Sequence, residues 1–232
     1  MKNITLILAL VLFFGCNKAE TERLTTENEK LKNEKLQLEQ KINDLQKTLA
    51  QSGPAQQRLK FLAGKLSGIK TRIVTNYGDI ELSFFNEKAP IHCFNFITRA
   101  ESGFYDNTKF HRIIKGFMIQ GGDPNTKDKD PYNDGQGGPL VAIPHEFNDT
   151  PHKAGILSMA RVGNTAAGAG SQFFIMHGDA PNLDGQYTAF GKVTKGMEIV
   201  NKIAGVKTIK DDRRRMDQPV KPVVIKTIEV YR

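Results

Sequence analysis

Hydrophobic and polar positions divide the chain into three regimes. Ile4 to Phe14 is an apolar run, with Thr5 its one polar residue, that follows Lys2 and ends at Gly15-Cys16. It is too short to cross a bilayer comfortably and has the proportions of a signal-peptide core. Residues 20–51 contain no glycine, proline or aromatic residue, and Leu24, Leu31, Leu38 and Leu45 recur every seven positions. With these leucines on one heptad position, Asn28, Lys35, Ile42 and Leu49 occupy the other. That pattern predicts a coiled coil over residues 20–51, in which the polar Asn28 and Lys35 lower stability but favour one register. A homodimer is the simplest assembly, and a solvated single helix is the alternative. Ser52-Gly53-Pro54 ends the helical pattern, since proline cannot continue it. Residues 52–69 read as a linker with a short helix around 58–66.

From residue 70 the alternation is that of β-structure. Strands are expected at 71–75 and 79–85 around Asn76-Tyr77-Gly78, and at 110–114 and 117–120 around Lys115-Gly116. Further strands are expected at 155–160, 172–176, 188–193 and 220–231. Helices are expected at 88–101 and 197–203, the first with Pro90 in its first turn and Ile91, Phe94, Ile97 and Thr98 on one face. Residues 121–152 read as one long loop. The fold class is therefore mainly β, an antiparallel β-barrel closed by two helices and preceded by a helical coiled-coil segment. The domains follow as 1–15 signal segment, 16–51 anchor and coiled coil, 52–69 linker and 70–232 globular domain.

Within FHRIIKGFMIQGGD (110–123), Arg112 stands among Phe110, Ile113, Ile114, Phe117, Met118 and Ile119. Strict alternation places Phe110, Arg112 and Ile114 on one face. A guanidinium cannot shed its charge, so half-burying it requires a partner: a carboxylate such as Glu146 or Asp123, or a ligand.

Composition removes several classes. With 39% hydrophobic and 25% charged residues the chain is globular rather than disordered. The net charge of +8 is spread along the sequence, and its only dense run, Arg213-Arg214-Arg215, follows Asp211-Asp212, so no nucleic-acid partner is expected. The glycine-rich stretch 163–171 has Ala169 where a phosphate loop needs lysine. No histidine or cysteine spacing suits zinc, the acidic loop 123–134 lacks calcium-loop spacing, and no nucleophile elbow surrounds Ser158 or Ser171. Cys93 lies in a helical pattern and reads as a small buried hydrophobe.

Five stretches resemble a known family when read together: YGDIELSFFNEKAP (77–90), FHRIIKGFMIQGGD, GILSMAR (155–161), AGSQFFI (169–175) and LDGQYTAFGKV (183–193). They resemble the cyclophilin family of peptidyl-prolyl isomerases, in the family's order and over residues 70–232. The resemblance implies that Arg112 is catalytic with Gln120 beside it, and that Phe117, Met118, Phe174 and Leu183 form the proline pocket. It implies that Gln172 and the backbone of Ala160 meet the residues before proline, with His111 and Tyr187 at the edge of the site. It also implies proline-containing polypeptides as partners and no metal or cofactor. Three departures stand out: Arg161 replaces an asparagine, Tyr187 replaces a histidine, and Asn182 replaces the tryptophan of members that bind cyclosporin well. Gly15-Cys16 resembles a bacterial lipoprotein signal, which implies lipidation of Cys16 and anchorage in the cell envelope. A pure proline-segment binder is the competing function.

Overall fold

The computed structural model describes residues 20, 22–35, 37, 38, 41, 53–161 and 168–232. The expected signal segment, Cys16, and the heptad positions Ile42, Leu45 and Leu49 lie outside the described residues. The chain divides into two compact units, Met1–Gln57 and Arg58–Arg232. In the first, the described residues between 20 and 41 are helical, with Leu24, Leu31 and Leu38 exposed.

Helix α1 (Pro54–Leu66) occupies the segment expected to be linker, and its Ala63 and Leu66 are buried. Among the described residues nine strands follow: β1 (Lys70–Thr75), β2 (Gly78–Phe84), β3 (Thr108–Lys109), β4 (Arg112–Ile114), β5 (Met118–Gly121), β6 (Ile156–Arg161), β7 (Ala169–Met176), β8 (Thr188–Lys195) and β9 (Val224–Tyr231). Two helices interrupt them, α2 (Pro90–Glu101) and α3 (Met197–Ala204). All strand pairs are antiparallel and form one curled sheet of order β3-β9-β1-β2-β8-β6-β7-β5-β4.

The two edge strands, β3 and β4, are consecutive in the chain, so Phe110 and His111 join the ends of the sheet covalently. This corrects the expected continuous strand over 110–114. At this crossing Phe110 N donates to Val223 O (2.9 Å), whereas Ile113 N donates to Asp217 O (2.9 Å). Alternation breaks where the strand changes partners, so Phe110 turns inward while Arg112 is exposed on the opposite side of β4 from the buried Ile113. The expected half-burial of Arg112 beside Phe110 does not occur.

Helix α2 also presents a different face from the one expected. Cys93, Phe96, Ile97 and Ala100 are buried, while Phe94 is exposed. Both faces of this helix carry apolar residues, so periodicity alone does not say which one the sheet covers. The Phe96 ring meets Tyr105 (5.2 Å between centroids), Phe173 (5.2 Å, edge-on) and Phe190 (5.5 Å). Such edge-to-face contacts add to the area that these rings bury. The Cys93 thiol lies in this core and donates to Phe190 O (3.3 Å); burial raises its pKa well above the usual thiol range.

Strand register separates two apolar clusters. Ile113, Ile119, Leu157, Phe173 and Ile175 point into the main core. Their neighbours Met118, Phe174 and Met176 point outward and pack with Ala180 and Leu183. The run Phe173-Phe174-Ile175-Met176 is apolar at every position because both faces of β7 are covered. Replacing Phe96 with alanine would leave a cavity at the centre of the main core. We expect Phe96→Ala to lower unfolding free energy by about 3–5 kcal/mol in urea titrations, with the fold retained.

Candidate active site

The outward cluster forms the floor of a cleft of about 460 Å³. His111, Arg112, Phe117, Met118, Gln120, Ala160, Phe174, Leu183 and Tyr187 all line it. Gln172 does not line the cleft; it stands behind Gln120. The positions singled out in the sequence thus converge from β4, β5, β6, β7 and the turns beside them.

Cross-strand register explains the convergence. Arg112 is paired with Gln120, and Gln120 with Phe174, so the three side chains share the outer face. Arg112 Nη1 donates to Gln120 Oε1 (3.3 Å), Gln120 Nε2 donates to Gln172 Oε1 (3.0 Å), and Gln172 Nε2 donates to Gly135 O (3.0 Å) and Gly137 O (2.8 Å). The chain of donors runs in one direction and fixes each amide.

Its far end is Asp123, fully buried, which receives the N–H groups of Gly135, Gly137 (3.2 Å) and Asn125 (2.8 Å). A buried carboxylate held by backbone donors is satisfied without a counter-ion. Asp123 therefore does not pair with Arg112. Glu146 is engaged elsewhere too: it accepts from Ile91 N (3.1 Å) and His92 N (2.9 Å) at the start of α2 and meets His92 Nδ1 (2.7 Å). Both carboxylates considered as partners of Arg112 are thus occupied, and the guanidinium faces the cleft beside Gln120.

The apolar wall is supported from below. His152 contacts Asp184 Oδ1 through Nδ1 (2.9 Å) and Ser158 Oγ through Nε2 (3.0 Å), and its ring stacks on Phe174 at 6.2 Å. Asp184 follows the 3₁₀ turn Pro181–Leu183, so this relay ties Leu183 to β6. Ser158 is fully buried and donates to Thr188 O (2.9 Å), so the Asp–His–Ser arrangement has no access to a substrate and serves as a brace. Tyr187 meets Phe174 edge-on at 5.7 Å and completes the wall.

Comparisons with known proteins identify the domain that carries this cleft. The family described as "Cyclophilin type peptidyl-prolyl cis-trans isomerase/CLD" matches residues 70–230. The chain belongs to this family.

A peptidyl-prolyl cis-trans isomerase of Synechococcus elongatus is 43% identical over 145 residues, covering 59% of this chain and 94% of the relative. One from Helicobacter pylori is 44% identical over 135 residues, covering 56% and 77%. The peptidyl-prolyl cis-trans isomerase-like 2 protein of Rhizopus delemar is 41% identical over 165 residues; the match covers 69% of this chain and 28% of that longer protein. The crystal structure of a Cryptosporidium parvum cyclophilin type isomerase, obtained in the presence of the dipeptide Ala-Pro, superposes with a TM-score of 0.62 at 36% identity. It covers 70% of this chain and 99% of that one. The cyclophilin domain is thus a peptidyl-prolyl cis-trans isomerase.

Some cleft residues of this cyclophilin escaped the sequence reading. Asp134, Gly135, Arg214, Met216 and Gln218 also line it. In the sequence Arg214 is only part of a charge run, because nothing local says that residues 212–218 return to the edge of β4. Asp123 carried a weak signal, its position before Pro124, which suits a capping residue.

His111 is buried, and among the described residues neither ring nitrogen has a hydrogen-bond partner of good geometry. Desolvation by burial, aided by Arg112 and opposed by Asp123, pushes its pKa from 6.5 down to about 4. The unfolded chain therefore takes up a proton near pH 6.5 that the folded chain refuses until about pH 4. The stability that this group supplies is complete above pH 6.5 and falls away between the two values. Comparing unfolding of the parent and His111→Gln from pH 7.5 to 4 should show an excess loss in the parent of up to about 3 kcal/mol.

Proposed function

We propose that the domain accelerates rotation about Xaa-Pro bonds by stabilising the twisted transition state, with Arg112 as the decisive donor. Rotation breaks amide resonance against a barrier of about 18–20 kcal/mol. As the bond twists, the proline nitrogen becomes pyramidal and regains a lone pair. A donor placed against that nitrogen binds the twisted form better than either planar form. No nucleophile, base, metal or cofactor enters the step.

The observation that carries this reading is the placement of the Arg112 guanidinium, held by Gln120 at the edge of an apolar cleft. Phe117, Met118, Phe174 and Leu183 offer a floor for the proline ring, and Tyr187 a side wall. Burial of the ring on this floor would set the Xaa-Pro amide beside the guanidinium. Ala160 and His111 frame the peptide on either side, and Gln172 holds Gln120 from behind.

We further propose that the protein works in the bacterial envelope, lipidated at Cys16, on envelope or secreted proteins. The apolar run ahead of Cys16 supports the anchor. Leu24, Leu31 and Leu38 are 54%, 56% and 61% exposed along a helical segment, and this supports pairing of two chains through residues 20–51. Pairing would present two clefts to one client and raise apparent affinity through effective concentration.

Exchange NMR on an Ala-Pro-Phe peptide tests the catalytic reading. Acceleration by the full-length protein should fall at least about a hundredfold in Arg112→Ala while peptide affinity changes little. Binding without acceleration in the parent would instead make the domain a proline-segment binder. In a bacterial host, Cys16→Ser should abolish incorporation of radiolabelled palmitate and release the protein from the membrane pellet. Sedimentation of the chain at increasing concentration should show a monomer–dimer shift.

A further inference from the structure

Two arginines in the cleft take no part in the chemistry proposed above. Arg161 ends β6, and Arg214 lies in the 3₁₀ turn Arg213–Arg215; both line the cleft with Arg112. The outer face of the sheet runs β6-β7-β5-β4, and residues 212–218 continue it beyond β4, where Asp217 O accepts from Ile113 N. Arg161 and Arg214 therefore stem from opposite ends of the cleft, with the apolar floor between them. At about 4.8 Å per strand, four spacings make about 19 Å, the length of about six residues of extended peptide.

Both side chains are held in a similar way. The Arg161 guanidinium lies 4.6 Å from the centre of the Tyr187 ring, and that of Arg214 lies 4.3 Å from Tyr132. Arg161 Nε also donates to Gln186 O (2.9 Å). The turn carrying Arg214 is fixed by Asp212, which accepts from Arg214 N (3.0 Å). It is fixed again by the buried Gln218, which donates to Pro131 O (2.8 Å) and accepts from Arg215 Nε (3.1 Å). Stacking uses the face of a guanidinium, and its in-plane N–H edge is the geometry that matches carboxylate and phosphate oxygens.

The charge balance of the cleft favours the same ligands. Among the described residues, one carboxylate, Asp134, lines it against three guanidinium groups. Burial holds His111 neutral at ordinary pH, so it adds no charge. A cleft with several fixed charges of one sign concentrates the opposite charge and speeds its encounter.

We propose that Arg214 and Arg161 are specificity residues, selecting proline segments that carry an anionic side chain, carboxylate or phosphate, within about three residues of the proline. Arg214 serves one end of the bound segment and Arg161 the other. The proposal rests on the isomerase reading and extends it to substrate class. A neutral segment meets the same floor and the same Arg112 but gains nothing at the ends.

The test uses full-length protein and matched proline peptides with glutamate or phosphoserine, against glutamine or serine, at the second and third positions on either side of proline. Exchange NMR at low salt should give catalytic efficiencies about five- to tenfold higher for the anionic member of each favoured pair, shrinking at high salt. Arg214→Gln and Arg161→Gln should each lower the ratio at their own end, and the double variant should bring it close to one. A ratio near one in the parent, or a ratio unchanged in both variants, would overturn the proposal. Equal gains from glutamate and phosphoserine support general anion selection, and a larger gain from phosphoserine supports it with phosphate as the better ligand. Affinities from titration of the same peptides read the preference independently of turnover. Failure to accelerate even the neutral peptides would thus remove the isomerase reading alone.

Discussion

Phe96 enters the inside of the curled sheet from α2 and meets rings contributed by β7, β8 and the turn after the helix. This aromatic packing is the contact on which the remaining structure depends. It fixes Phe173 inward, and alternation along β7 then fixes Phe174 outward. The face of the sheet that carries the cleft is therefore set by what its opposite face buries. A slip of one residue in β7 would bury Gln172 and Phe174 and expose Phe173, removing core and cleft floor together.

The same logic extends to the polar side of the site. Asp123 is buried against the turn at Gly135–Gly137, whose carbonyls hold Gln172, which holds Gln120, which meets Arg112. A flexible guanidinium loses side-chain entropy when ordered, and a preformed chain of donors bears that loss before a ligand arrives. Gly122 allows the backbone to make this arrangement. Its φ of +83° and the approach of Ser171 O to within 2.6 Å of where a Cβ would stand exclude a side chain there. Rigidity under the cleft and openness at its surface thus have separate causes.

Much of this was legible in the sequence, for reasons that differ by residue. The hairpin at Asn76-Tyr77, the β5 strand and α3 were visible because local alternation and turn chemistry agreed. Arg112, Gln120 and the pocket residues were found because several motifs occur together in one order, and the fold gathers them into one cleft. The burial of Arg112 was misjudged because alternation was carried through Phe110 and His111, where the chain changes strand partners. The inward face of α2 was misjudged because Phe94 and Phe96 are equally apolar and only the sheet distinguishes them.

The sequence by itself determined the β-rich class and the seven-residue repeat, because each is a periodic or local property of adjacent residues; the residues of the cleft floor came from the family resemblance instead. Tertiary structure alone decided which face of each element is inward, that Asp123 anchors the relay ending at Arg112, and that Arg214 stands at the cleft. Those facts depend on contacts between segments far apart in the chain. Whether a charged residue meets solvent, a carboxylate or a cleft is settled by where the other segments pass, and no local pattern records that.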